Sequence, residues 1–119
     1  MKKFDLECQD HVDRIAKQLN DLAAGKISEE DECQDLYDYF DEVYDIEYRI
    51  DSSGEYKSVQ LMIACGGPNI YVDTNDSYVK LYWGSTHVEA PISYATSEAI
   101  DFIFKERFAS LNSLFLKYS

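Results

Sequence analysis

The period of the apolar side chains changes along this chain, and the middle stretch decides the architecture. Across residues 46–83 the pattern alternates. Ile46, Tyr48 and Ile50 are interleaved with Glu47, Arg49 and Asp51, and Val59, Leu61, Ile63 and Cys65 share one side of the next run. Side chains of a strand point to opposite faces in turn, so this two-residue period reads as half-buried strands. Ser52-Ser53-Gly54, Gly66-Gly67-Pro68-Asn69 and Thr74-Asn75-Asp76 interrupt the pattern with residues that favour turns. Hairpin-type connections in succession imply an antiparallel meander. Its third strand is short, Ile70 to Asp73, and its fourth runs from Tyr78 to Trp83 with Val79, Leu81 and Trp83 facing inward. His87 to Ala90 supplies either a fifth short strand or a crossing before Pro91.

Helical periodicity flanks this core on both sides. Cys8, Val12, Ile15, Leu19 and Leu22 recur at threes and fours within residues 4–24, and Gly25 suits the left-handed position past a helix end. Ser28 with Asp31 resembles a capping box, predicting a second helix that reaches about residue 45. After Ser93, Ile100, Ile103, Phe104, Phe108, Leu111 and Phe115 form the stripe of a last helix. The expected fold is α+β: an N-terminal helical hairpin, a four- to five-stranded antiparallel meander and a C-terminal helix. At 119 residues it is expected as one domain, residues 1–45 forming an acidic helical pair and residues 46–119 the ββββα core. The two apolar helix faces at the N-terminus need a surface to bury them, and the outer sheet face, with Tyr71, Tyr78, Lys80 and Tyr82, is the expected one.

Charge is the second constraint. The net charge is −12; residues 1–51 hold sixteen acids and six bases, and residues 52–119 hold seven and five. From Glu29 to Glu47 there are ten carboxylates and no Lys or Arg. Wound as a helix, this run puts Cys33, Leu36, Tyr37, Phe40, Val43 and Tyr44 on one arc, and Asp31, Asp35, Asp38, Glu42 and Asp45 on the other. Like charges one turn apart repel by a few tenths of a kcal/mol per pair, and Asp41, Glu42 and Asp45 would stand at the negative helix pole. A row left unneutralised in this way suits a positively charged partner. Carboxylates at those spacings lie roughly 5–6 Å apart, close to successive phosphates on a nucleic-acid strand. The expected partner-binding residues are therefore Asp31, Asp35, Asp38, Asp41, Glu42, Asp45 and Glu47, with Tyr39 as an aromatic anchor among them.

The same charge argues against direct binding to nucleic acid or anionic membrane, both of which need clustered bases. No apolar stretch approaches the roughly 18 residues of a membrane span, and the N-terminus has no signal-peptide core, so the chain reads as cytoplasmic. Cys8, Cys33 and Cys65 lie on apolar faces and read as reduced core thiols. His11 and His87 have no second ligand at a zinc-site spacing. No catalytic signature, cofactor motif or P-loop is present. Asp51, Asp73 and Asp76, at strand ends, would hold Mg²⁺ only if they gathered on one edge, and the Tyr-Lys sheet face offers a stacking surface for single-stranded bases. The favoured expectation has no catalytic residue, cofactor or metal.

Residues 46–108, above all the stretch EYRIDSSGEYKSVQLMIACGGPNIYVDTNDSYVKLYW, resemble small domains encoded by phages and other mobile elements. Among these are anti-CRISPR proteins with the ββββα fold of single-stranded-DNA-binding transcriptional coactivators. The acidic helical pair is an addition to that pattern, and the basic balance of a nucleic-acid binder is missing from it. The resemblance implies a phage counter-defence protein, acting in the host-cell cytoplasm on a CRISPR effector nuclease by occupying a basic nucleic-acid channel. An immunity protein that neutralises a basic nuclease toxin has the same physics, and a single-strand binder or nickase is the alternative of a different kind. The coactivator-like fold often dimerises through its sheet and helix; a homodimer is one expectation, capping of that surface by the added helices the other.

Overall fold

The computed structural model describes residues 2–26 and 32–118, with side chains to Leu114. Helix α1 (Lys3–Ala23) is followed by a single helical turn, α2 (Leu36–Tyr39). Five strands come next: β1 (Asp45–Ile50), β2 (Tyr56–Ala64), β3 (Asn69–Asp73), β4 (Tyr78–Trp83) and β5 (Thr86–Pro91). Helix α3 (Tyr94–Tyr118) closes the chain. The sheet order is β1-β2-β3-β4-β5 with every pair antiparallel, so the fold is α+β and the fifth strand is real.

Alternation along the strands sets the core. Leu61 pairs with Val72, Val72 with Val79, and Val79 with Ala90, each on the same face and each essentially inaccessible to solvent. Helix α1 lays Cys8, Val12, Ala16, Leu19 and Leu22 against β4 and β5. Two polar contacts pin it there: Gln9 Nε2 donates to the Glu89 carbonyl at 2.9 Å, and Thr86 Oγ1 donates to Asp5 Oδ1 at 2.8 Å. Its end is closed by Gly25 at φ 75°, with the Lys26 N–H on the Asp21 carbonyl and the Gly25 N–H on that of Leu22. That is the hydrogen-bond pair of a left-handed helix stop, and glycine takes the position without a Cβ clash.

Helix α3 covers β2 and the flank of α1 with Ile100, Ile103 and Phe104. Ser93 Oγ accepts from the Thr96 N–H at 3.0 Å to cap it, and Asn20 Oδ1 accepts from Ser93 N and Thr96 Oγ1, tying the end of α1 to the start of α3. Phe108 still packs on Tyr48 and Tyr56, but Ala109 to Leu114 are all exposed. Leu111, expected in the buried stripe, is thus outside it because the helix outruns the sheet; Phe115 lies outside the described side chains.

Three further expectations are corrected. The second helix does not run to residue 45; from Glu32 to Tyr44 only Leu36–Tyr39 is helical. Asp35 takes the Asp38 N–H at 2.8 Å as an N-cap, Leu36 and Phe40 are both buried within one turn, and β1 must begin at Asp45. A carboxylate-rich C-terminal end gives the turn no electrostatic reason to continue. Second, no described helix covers the outer face of the sheet. Helices α1 and α3 lie side by side on the face that presents Val59, Leu61, Val72, Val79 and Leu81, and one apolar sheet face satisfies both stripes. Third, Trp83 points to the helix side but sits at the rim, 45% exposed, its ring 5.1 Å from Phe4 and its indole 3.6 Å from where a Cβ on Gly67 would lie.

Candidate functional site

The acidic segment is built from three local structures. Asp35 and Asp38 belong to the α2 turn: Asp35 caps it, and Asp38 Oδ2 accepts from the Gln34 N–H at 3.2 Å. Asp41 and Glu42 occupy the bend that follows. Asp45 and Glu47 lie on the edge strand β1 opposite Met62 and Gln60, on the outer face of the sheet. All six side chains are exposed. Among the described residues, the ion pairs are Asp10–Arg14, Lys17–Asp21, Arg49–Asp73, Lys80 with Asp73 and Asp76, and His87–Glu89. None of them uses Asp35, Asp38, Asp41, Glu42, Asp45 or Glu47. Asp31 lies outside the described residues.

Tyr39 does not project among these carboxylates. It packs against the core with its ring 5.0 Å from Phe40, and burial pushes its phenol up to about 12. The outward aromatics of the segment are Tyr37 and Tyr44, 48% and 67% exposed. The shift of role follows from the shortened helix, which places Tyr39 one residue before the buried Phe40 in a turn that packs on α3.

Next to this segment, the outer sheet face holds a charge network that the sequence reading did not identify. The Arg49 guanidinium grips Asp73 through two bonds, Nη1–Oδ1 at 2.7 Å and Nη2–Oδ2 at 2.9 Å. It also donates to Gln60 Oε1 at 3.2 Å. Lys80 bridges Asp73, 3.5 Å away, and Asp76, at 2.5 Å. Burial of Asp73, which is 2% exposed, works to raise its pKa. The hydrogen bonds from Arg49 and the Asn75 N–H, with the charges of Arg49 and Lys80, outweigh that and hold the carboxyl below its usual range. A signal was available: Arg49, Asp73 and Lys80 all fall on outward positions, of β1, β3 and β4.

The same face holds residues of the metal and nucleic-acid alternatives. Asp51 spends its carboxylate on its own turn, accepting from Ser53 N, Ser53 Oγ and Glu55 N. Asp73 and Asp76 converge on the Lys80 ammonium, and among the described residues no three of His, Cys, Asp and Glu are grouped to hold a metal ion. Tyr82 stacks on His87 at 4.4 Å and meets Tyr71 edge-on at 5.9 Å. With Gln60, Asn69 and Lys80 these tyrosines border a groove of about 350 Å³. Its bases, however, are already matched by acids, and Asp45, Glu47 and Glu89 share the same face. A polyanion would meet a surplus of negative charge there.

The three thiols differ. Cys8 is buried, and burial first, then Asp5 and Glu7, raise its pKa. Cys33 is half-buried against the core. Cys65 is exposed beside the Gly66 turn, a correction to its expected place inside, because β2 ends at Ala64 and the alternation ends with it.

Comparison of the chain with protein-family models, with curated proteins and with solved structures finds no match.

Proposed function

We propose that this protein is a binding module whose carboxylate-rich segment, residues 35–47, docks on a basic protein surface and acts by occupying it. One observation carries the reading: six carboxylates within thirteen residues are exposed, and none is ion-paired among the described residues. Apart from the Asp35 cap and the Asp38 bond to the Gln34 N–H, these side chains make no hydrogen bond or ion pair among the described residues that would fix so many like charges in one segment, where they repel one another. Toward a cationic surface the same cluster speeds encounter, and its effect fades as salt screens it.

Regular phosphate mimicry is not the support for this reading, because the acids lie on a turn, a bend and a strand instead of one helix. Their density and exposure are. The surfaces that best complement them are those built for polyanions, so the partner class is a nucleic-acid-handling protein. A CRISPR effector nuclease is the narrower choice, and the resemblance of residues 46–108 to phage-encoded domains is what points to it.

The test is binding to a panel of purified nucleic-acid-handling proteins, CRISPR nucleases included, measured at low and high salt. Asp38→Lys/Asp41→Lys/Glu42→Lys leaves the buried residues untouched, so a cooperative melt should confirm that it folds. Binding should fall at least tenfold in this variant and weaken with salt in the wild type. A folded triple variant that binds as well as wild type refutes the proposal.

A further inference from the structure

We infer that the acidic surface continues into an apolar groove that receives a basic amphipathic helix of the partner. Its apolar side would lie in the groove and its Lys or Arg residues against Asp35 and Asp38. This deepens the reading above and rests on it.

The groove, of about 430 Å³, lies where the last turn of α1, the α2 turn and the first half of α3 meet. Its walls include Leu22, Leu36, Tyr37, Phe102 and Ile103, and among the described residues Asp35 is the charged one in its lining. Phe102 is 63% exposed and Tyr37 48%, while Ile103 and Phe104 beside Phe102 are buried and already serve the core. Single exposed aromatics are ordinary. Two of them flanking an apolar trough form a contiguous patch of the kind that marks an interaction site.

Chemistry narrows the occupant. The α1 and α3 walls lie within helices whose backbone N–H groups are already spent, and the short α2 turn offers no extended row of backbone groups. A partner therefore has no strand edge to pair with here and must satisfy its own backbone. An amphipathic helix does so. The charge comes from the α2 side: Asp35 lines the groove, and the exposed Asp38 and Asp41 follow it in the same turn and bend, while Lys26, just past α1, is also exposed. Of the described bases on α3, Lys105 faces the neighbouring depression beside Tyr56, and Arg107 lies over the Phe104 ring at 4.8 Å; neither lines the groove. A second copy of the chain is disfavoured by its own charge of −12, as is an anionic membrane.

The probe is a fluorescent peptide of Leu and Lys, about 16 residues long so that it can form a helix, with Leu confined to one face. Its controls are an isomer of identical composition without an apolar face, and a version with Glu in place of Lys. Anisotropy with the full-length protein should show the amphipathic Lys peptide binding roughly tenfold tighter than its isomer. Amide shifts should map to Leu22, Leu36 and Ile103. Phe102→Ser should erase the difference between the two Lys peptides, whereas Asp38→Lys/Asp41→Lys should weaken both.

Equal affinity for the two Lys peptides would overturn the groove and leave the acidic surface standing. Binding of neither would remove both readings. A Glu peptide that binds equally well overturns the charge selection, and dimerisation abolished by Phe102→Ser would make the occupant a second copy and overturn the inference.

Discussion

Replacing Arg49 by Met probes Asp73, the one charged group buried almost completely among the described residues. Asp73 is 2% exposed and owes its ionised state largely to the two Arg49 hydrogen bonds. Removing one member of a buried pair costs about 3–5 kcal/mol when nothing replaces it. Here Lys80 remains 3.5 Å from Asp73, and the Arg49 side chain is 34% exposed, so the expected loss is about 2–3 kcal/mol. For a chain of this length that lowers the melting temperature by roughly 6–15 °C.

The pH dependence gives the sharper signature. Wild-type Asp73 has a depressed folded pKa, so its stabilisation is present above the unfolded value of about 4 and is lost as pH falls through the folded value. In Arg49→Met burial acts with less opposition, the folded pKa rises, and protonation relieves the strain. The unfolded value is common to both, so the gap between variant and wild type should narrow as pH falls through the variant's raised folded pKa and on through the depressed wild-type one. Urea melts from pH 7 to pH 3, with Asp73→Asn and the double variant, measure it. A gap that stays constant with pH, or single effects that simply add in the double variant, would refute the reasoning.

Three further outcomes follow from the packing. Phe104→Ala empties a fully buried position that meets Phe40 at 5.8 Å, and should cost about 3–5 kcal/mol in urea unfolding. Asp35→Asn should keep the α2 cap and leave stability nearly unchanged, whereas Asp35→Ala should cost about 1 kcal/mol; both remove the charge and should weaken partner binding alike. In the folded protein Cys65 should react with iodoacetamide far faster than Cys8, whose burial and raised pKa protect it, and peptide mapping after a short pulse reads the ratio.

Much of the fold was legible along the chain. Val59, Leu61, Val72, Val79 and Leu81 announced the sheet by a two-residue period, and the turns between them were marked by Gly, Asn, Asp and Ser at the observed places. The α1 stripe and its Gly25 stop were equally local. The exposed carboxylates could be named in advance; their arrangement could not, because helical periodicity over residues 33–44 was a coincidence of composition that the Asp35 cap and the start of β1 overrode.

By itself, then, the sequence determined four strands and their meander order, inner residues of the first, second and fourth, and a segment too acidic to pair within itself. Those properties depend on neighbours a few residues apart. Which sheet face both helices would share, the burial of Asp73 between Arg49 and Lys80, and the trough beside Phe102 were decided only by tertiary structure. Each joins groups distant along the chain, whose meeting depends on how the layers compete for one apolar surface.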